Sequence, residues 1–189
     1  MIISHRHKFV FVSIPRTAST SIRRSLMQCP DLECQALPAE THSVPGEEYS
    51  DYFRWTTVRN PYDRAVSLWK YYRQSYPYGS RSKSAPLPLS FFQFAELQQL
   101  KGLVLSWWFY SISQSEMLQG VRIDQVLHYE NLEQELKELP FELPFTQLPR
   151  LESTEHRHWS DYYDSFTEQL IWDWALQDFE KYGYPRLLR

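Results

Sequence analysis

The segment Lys8-Phe-Val-Phe-Val-Ser-Ile-Pro-Arg-Thr-Ala-Ser-Thr-Ser-Ile22 decides the fold class of this chain. It predicts a buried β-strand that passes into a helix through a loop rich in hydroxyl groups. A helix start leaves backbone N–H groups without intrahelical partners and carries the positive end of the helix dipole, so it attracts oxyanions. Arg16 adds a planar, charged set of donors. The hydroxyl donors are Thr17, Ser19, Thr20 and Ser21. The segment predicts a phosphate or sulfate cradle, and an ordinary turn with a Ser or Thr N-cap is the alternative.

A second motif, Phe53-Arg-Trp-Thr-Thr-Val-Arg-Asn-Pro-Tyr-Asp-Arg-Ala-Val-Ser-Leu68, has the same strand-to-helix form. Residues 53–58 predict a strand, and the Asn-Pro pair that follows Arg59 predicts the cap and first turn of a helix. Arg59 then stands at the carboxyl end of the strand, and Ser67 lies about two turns into the helix. Ligands of open α/β sheets bind beyond the carboxyl ends of strands. With the two strands close together, Arg59 and Arg16 would share one edge and suit a ligand with two separated charged groups.

The remaining pattern alternates strands and helices. Residues 123–129 predict a strand, residues 130–139 a short amphipathic helix, and residues 89–100 and 103–113 two core-facing helices. A final helix begins at a capping box, Ser165-Phe-Thr-Glu168, and ends at Gly183. This alternation predicts a three-layer α/β fold of P-loop-like architecture, with a central parallel β-sheet flanked by helices. The length predicts a single domain over residues 1–189.

Composition narrows the classes of partner. A net charge of −3 argues against a general nucleic-acid binder, whose affinity depends on neutralising many phosphates. The chain has no apolar run of about twenty residues and no leader-like start, so it predicts a cytoplasmic protein without membrane contact. Cys29 and Cys34 predict reduced structural thiols, and the His-x-His pairs at 5–7 and 156–158 predict solvent-facing side chains. We expect no metal site, and the sequence leaves the oligomeric state open.

The two motifs together resemble those of the sulfotransferases that use 3′-phosphoadenosine 5′-phosphosulfate (PAPS). Residues 14–21 look like the 5′-phosphosulfate loop of that family, and residues 58–67 look like its 3′-phosphate motif. The nearest branch in appearance is the carbohydrate group that includes heparan sulfate 2-O-sulfotransferase. Weaker similarities are Val126-Leu-His-Tyr-Glu-Asn-Leu132 and Asp178-Phe-Glu-Lys-Tyr-Gly-Tyr184. The resemblance covers most of the chain.

The resemblance implies a cofactor role for particular residues. The 5′-phosphosulfate is assigned to Arg16, Thr17, Ala18, Ser19, Thr20 and Ser21. The 3′-phosphate is assigned to Arg59 and Ser67, with Arg157, or Arg150 as a weaker match, in the late basic loop that covers the cofactor in this family. Position 16 is Lys in most of the family, whereas tyrosylprotein sulfotransferases also have Arg there. Arg does not readily lose a proton, so it is expected to stabilise charge on the departing phosphate oxygen.

An acceptor hydroxyl also needs a base. His42 lies between the two motifs, where related carbohydrate enzymes often have a functional His, and its ordinary pKa near neutrality suits proton removal. Glu40 and Glu47 are the rival bases, because burial can raise the pKa of a Glu into the same range. A solvent-exposed loop histidine is the other interpretation of His42.

The sequence therefore predicts an enzyme that transfers a sulfuryl group from PAPS to a hydroxyl acceptor. The acceptor is expected to be a carbohydrate, or otherwise a small alcohol or phenol. The loop is not the G-x-x-x-x-G-K-[ST] loop of nucleotide hydrolases, which makes direct use of ATP less favoured. The alternatives are a nucleotide-dependent phosphotransferase and a non-catalytic nucleotide-binding module, because a phosphate cradle alone does not determine the reaction.

Overall fold

The computed structural model describes residues 1–36, 49–79, 90–99, 112–145, 147–149, 151 and 157–187. The chain divides into two compact units. The first comprises Met1–Arg59 and Leu118–Ser153, and the second comprises Asn60–Met117 and Thr154–Arg189. The prediction of a single domain over residues 1–189 stays a prediction.

The first unit is built on a five-stranded sheet. Its strands are β1 (Ile2–Ser4), β2 (Phe9–Val12), β3 (Cys34–Ala36), β4 (Phe53–Val58) and β5 (Gln125–His128), in the order β3-β1-β2-β4-β5. β2, β4 and β5 are parallel, as the alternating pattern predicts. The predicted central parallel sheet is thus confirmed in its main part, whereas β1 pairs antiparallel with both β2 and β3. The short connection between β1 and β2 leaves no room for the crossover that a parallel pair requires.

Both sides of the central strands are buried. In β2, Phe9 and Phe11 point to one side and Val10 and Val12 to the other, and all four side chains are buried. Phe11 packs against Trp55 of β4 with 4.5 Å between ring centroids. Helix α1 (Ser19–Met27) adds its buried apolar residues to the same cluster. A strand buried on both sides explains why the segment at 9–12 is continuously apolar.

Short helical turns complete the first unit. They are a 3₁₀ turn at Pro30–Leu32, a second at Tyr129–Asn131, helix α5 (Leu132–Glu135) and a third 3₁₀ turn at Leu136–Glu138. The predicted amphipathic helix at 130–139 is thus broken into three short pieces. Its apolar residues Leu132, Leu136 and Leu139 are nevertheless buried in the cluster that contains Phe9 and Trp55.

The second unit is helical. It contains α2 (Pro61–Gly79), α3 (Phe91–Gln99), α4 (Gln114–Met117), a 3₁₀ turn at Trp159–Tyr162, α6 (Ser165–Trp174) and α7 (Leu176–Tyr182). The predicted cap of α2 is confirmed, because Asn60 Oδ1 accepts a hydrogen bond from the Tyr62 N–H at 2.9 Å. Among the helices described, none is both long enough and apolar enough to cross a membrane. The chain therefore has a mixed α/β fold with a mostly parallel central sheet.

Two details of the last helix differ from expectation. The N-cap is Asp164, one residue before the predicted Ser165. Its carboxylate accepts a hydrogen bond from the Thr167 N–H, and the Thr167 hydroxyl oxygen accepts one from the Asp164 N–H. The single predicted helix is also interrupted at Ala175, which separates α6 from α7. Gly183 ends α7 with a φ of 71°, in the left-handed conformation expected of a C-terminal glycine.

Candidate functional site

The candidate site lies at one edge of the sheet in the first unit. Because β2, β4 and β5 are parallel and adjacent, their carboxyl ends meet at this edge. β2 is followed by the loop Ser13–Ala18, β4 by Arg59 and β5 by Tyr129. This is the edge where open α/β sheets bind their ligands.

The loop before α1 has an unusual backbone. The dihedral angle φ is 70° at Arg16 and 65° at Ala18, whereas Thr17 between them is not in the positive-φ region. A positive φ is uncommon for residues other than glycine. Successive residues of opposite hand turn their backbone N–H groups toward one concave side, and such concavities bind anions. Ala18 also offers no side-chain cap to the first turn of α1. The backbone therefore has the form of an anion cradle.

Thr17 fixes this loop to the sheet. Its side chain is fully buried, and its hydroxyl donates to the Ile14 carbonyl at 2.9 Å. The Thr57 hydroxyl of β4 donates to the Thr17 carbonyl at 2.9 Å, and the two hydroxyl oxygens are 2.8 Å apart. The Thr17 side chain thus holds the cradle in place, and its role as a ligand donor stays a prediction.

The other hydroxyl groups of the loop differ in exposure. Thr20 is exposed, while Ser19 and Ser21 are buried. Ser21 Oγ accepts a hydrogen bond from the Leu151 N–H at 3.3 Å, which attaches the later loop to the start of α1. Ser13 Oγ, at the beginning of the loop, is buried without a hydrogen-bond partner among the described residues. An orphaned hydroxyl of this kind costs free energy unless a ligand or water satisfies it.

Arg59 joins the second motif to the first. Its Nη1 donates to the Arg16 carbonyl at 3.1 Å, so the structure brings the two arginines to the same edge. The guanidinium carbon also lies 4.2 Å from the centroid of the Tyr129 ring, which is a cation–π contact. Arg59 is only 9% exposed. Its head group is therefore held on the loop side by a carbonyl and on the β5 side by an aromatic ring.

The remaining predicted residues belong to the second unit or lie outside the described residues. Ser67 lies in α2 of the second unit and is buried. Arg157 also belongs to the second unit, where its guanidinium lies 5.5 Å from the Tyr162 ring centroid. His42, Glu40, Glu47 and Arg150 lie outside the described residues.

Sequence reasoning gave no role to Tyr129 or to Thr57. Tyr129 was within a segment that resembled the family only weakly, yet an aromatic residue at the end of a predicted parallel strand is placed at the binding edge. That position was the available signal. The Thr17–Thr57 pair has no comparable signal, because it depends on which strands are neighbours.

The cysteines and acidic groups suggest no second site in the part of the chain that the structure describes. Cys29 and Cys34 are free thiols. Burial, aided by the neighbouring Cys29, raises the pKa of Cys34 to about 11, which keeps this thiol protonated and unreactive near neutrality. Across the described ranges, no three His, Cys, Asp or Glu side chains are grouped in a way that could hold a metal ion.

The fold and the edge site define the class: a mixed α/β protein whose parallel strands end in a loop of anion-cradle form and a buried arginine. A family model described as "Sulfotransferase family" matches residues 1–185. The chain therefore belongs to the sulfotransferase family, whose general activity is sulfuryl transfer. Comparison with curated proteins and with solved structures found no significant match to an individual protein.

Proposed function

We propose that this protein transfers a sulfuryl group from PAPS to a hydroxyl group of an acceptor. The observation that carries the proposal is the contact between Arg59 Nη1 and the Arg16 carbonyl. It puts a loop of anion-cradle form and a buried cation from a second strand at one edge of one sheet. A ligand with phosphate groups at both its 5′ and 3′ positions matches such a pair, whereas a ligand with one charged end uses only half of it.

The residues present fit the 5′ end of the cofactor. The alternating backbone at Arg16, Thr17 and Ala18 and the uncapped start of α1 suit several phosphate or sulfate oxygens at once. The buried, unpartnered hydroxyl of Ser13 offers a further polar group next to the same loop. We assign the 5′-phosphosulfate to Arg16 through Ser21 and the 3′-phosphate to Arg59. The roles of Ser67 and Arg157 at the 3′-phosphate stay a prediction from the family resemblance.

When bound, the cofactor supplies an activated sulfuryl group on its 5′-phosphate. The chain's part is to align acceptor, sulfur and leaving oxygen, as in phosphoryl transfer. Arg16 is assigned the charge that develops on the leaving phosphate oxygen, because its guanidinium stays protonated throughout. The acceptor proton is assigned to His42, with Glu40 and Glu47 as the alternatives. Ala36, where β3 ends, pairs with Ile2, and Ile2 pairs with Phe11 near the end of β2, so β3 ends at the binding edge.

The acceptor is proposed from resemblance. A carbohydrate hydroxyl is the first choice, and a phenol or small alcohol is the second. A panel of sugars, phenols and peptides incubated with radiolabelled PAPS identifies the class by which member gains sulfate. Sulfate transfer to none of them, with PAPS bound, would support a non-catalytic module instead.

The cofactor assignment is tested by thermal unfolding with adenosine 3′,5′-bisphosphate, ATP or AMP added at equal concentration. A ligand that binds only the native state at a hundred times its dissociation constant stabilises the protein by about 2.7 kcal/mol. We expect adenosine 3′,5′-bisphosphate to raise the melting temperature most. A rise with ATP alone would contradict the proposal and favour a phosphotransferase.

The base is tested by His42→Ala under conditions in which chemistry limits the rate. General base catalysis contributes roughly 100- to 10,000-fold, so turnover should fall within this range while the affinity for adenosine 3′,5′-bisphosphate stays nearly unchanged. Glu40→Gln and Glu47→Gln are the parallel variants. An unchanged rate in His42→Ala, with a slow Glu variant, would move the role to that carboxylate.

A further inference from the structure

The carboxylate of Glu135 binds the edge of β5 that faces away from β4, next to the candidate site. β5 is the last strand of the described sheet, with β4 as its only strand neighbour there. Glu135 in α5 accepts a hydrogen bond from the backbone N–H of His128, the final residue of β5. His128 Nδ1 also lies 3.3 Å from the carboxylate oxygens of Glu135. The carboxylate thus supplies the acceptor that a sixth strand would otherwise provide.

This contact determines how the chain leaves β5. Tyr129 is the next residue and begins the 3₁₀ turn at Tyr129–Asn131. Its ring is the surface on which the Arg59 guanidinium lies, at 4.2 Å, and Arg59 in turn donates to the Arg16 carbonyl. A continuous series of contacts therefore runs from Glu135 through His128 and Tyr129 to Arg59, and from Arg59 to the loop Ser13–Ala18.

We propose that Glu135 is a positioning residue for the 3′-phosphate end of the cofactor site. This inference rests on the proposed function. Glu135 fixes the turn at which the chain leaves β5, between His128 and Tyr129. It thereby holds the Tyr129 ring in the position that orients the guanidinium group of Arg59. A guanidinium held in its binding orientation loses less conformational freedom when a phosphate arrives, so affinity rises without a new contact.

The direction of the effect separates positioning from simple electrostatics. A carboxylate acting only through its charge repels a phosphate, so its removal would tighten binding. Positioning predicts weaker phosphate binding instead, because removal of Glu135 lets the turn after His128 and the ring against Arg59 move. It also makes the effect larger for the 3′-phosphate, since the Thr17 and Thr57 hydroxyls still hold the backbone at Arg16 and Ala18 when Arg59 is less well oriented.

The test compares Glu135→Ala with the wild type in calorimetric titrations with adenosine 3′,5′-bisphosphate and with AMP, which lacks the 3′ group. We expect the dissociation constant of the bisphosphate to rise roughly fivefold or more, the worth of one well-placed cation–π contact. The constant for AMP should change by less than about twofold. Glu133→Ala removes an exposed carboxylate from the same short helix and is the matched control.

A double-mutant cycle shows whether Tyr129 transmits the effect. Tyr129→Leu removes the ring face, so Glu135→Ala should cause little further loss in that background. The positioning role is overturned if Glu135→Ala lowers the affinity for the bisphosphate as much in the Tyr129→Leu background as in the wild type. It is also overturned if Glu135→Ala binds the bisphosphate more tightly than the wild type, or if its affinity for both nucleotides falls equally. If Glu135→Ala does not fold, Glu135→Gln serves, because its amide oxygen still accepts from the His128 N–H and an intermediate loss is expected. A wild type that does not prefer the bisphosphate to AMP refutes the proposed function itself.

Discussion

Among the contacts of Arg59 are two that are independent of any ligand. The Arg16 carbonyl accepts from one nitrogen, and the Tyr129 ring lies against the guanidinium plane. A guanidinium has five N–H donors, so the hydrogen bond to the Arg16 carbonyl uses only part of its donor capacity. These contacts also mean that removal of Arg59 disturbs the loop Ser13–Ala18 as well as the proposed 3′-phosphate subsite.

We predict that Arg59→Ala weakens the binding of adenosine 3′,5′-bisphosphate more than the binding of adenosine 5′-phosphosulfate. Calorimetric titration measures both dissociation constants. A lost charge-assisted hydrogen bond costs about 1.5 to 3 kcal/mol, which is roughly a tenfold to hundredfold loss for the bisphosphate. The affinity for the phosphosulfate should fall less, because it is affected only through the loop that Arg59 contacts. Arg59→Lys keeps the charge without the planar fork, so it should fall between the wild type and Arg59→Ala. Equal losses for both ligands would remove Arg59 from the 3′ end.

The residues that the sequence placed at the site are those whose position follows from local pattern. Arg16 lies in the loop that follows one predicted strand, Arg59 comes directly after another, and the strand order makes them neighbours. Other features depend on tertiary contacts that no local pattern encodes. The burial of the Thr17 hydroxyl against Thr57 is one, and the left-handed backbone of Ala18, a residue that rarely adopts it, is another.

At the scale of elements, strong periodic signals predicted more than weak ones. β4 occupies residues 53–58 as predicted, because a run of aromatic and β-branched residues ends there at an Asn-Pro pair. β1 is too short to show alternation and was not expected, so the antiparallel member of the sheet was missed. At α6, Asp164 and Ser165 are both good cap residues, and only backbone geometry selects between them.

The cap of α6 gives a prediction with an internal control. Asp164→Ala should lower the free energy of unfolding by about 1 kcal/mol, because it removes the carboxylate that accepts from the Thr167 N–H at 2.8 Å. Ser165→Ala changes the exposed neighbouring residue and should have little effect. Urea denaturation of both variants measures the difference. A larger loss in Ser165→Ala would return the cap to the residue that the sequence suggested.

At the scale of the whole molecule, family membership and local motifs support each other. The family model spans residues 1–185, and the two motifs on which the resemblance was based lie in its first half. The motifs come from segments that continue directly from strands into helices, where backbone and side-chain requirements are strictest. The candidate bases between them have no such local constraint, so neither pattern nor described structure chooses among His42, Glu40 and Glu47.

The stability of the molecule should depend on pH through Glu168 of α6. Its buried carboxylate accepts from the Tyr62 hydroxyl and makes a bidentate pair with Arg186, at 3.1 and 3.0 Å. Burial alone raises the pKa of Glu168, but the hydrogen bonds from Arg186 and Tyr62 outweigh it and leave the pKa below its ordinary value of 4.5. The stabilisation is therefore complete above that value and is lost as the pH falls through the lower, folded-state pKa.

We accordingly predict that Glu168→Gln lowers the melting temperature at pH 7, and that its difference from the wild type shrinks as the pH falls below the ordinary pKa of glutamate. The reason is that protonation in acid gives the wild type the same uncharged group as the variant. Calorimetric melting across this pH range measures both curves. Glu180→Gln, which changes an exposed carboxylate of α7, should follow the wild type throughout. A constant difference between Glu168→Gln and the wild type at every pH would show that packing, not charge, is what Glu168 contributes.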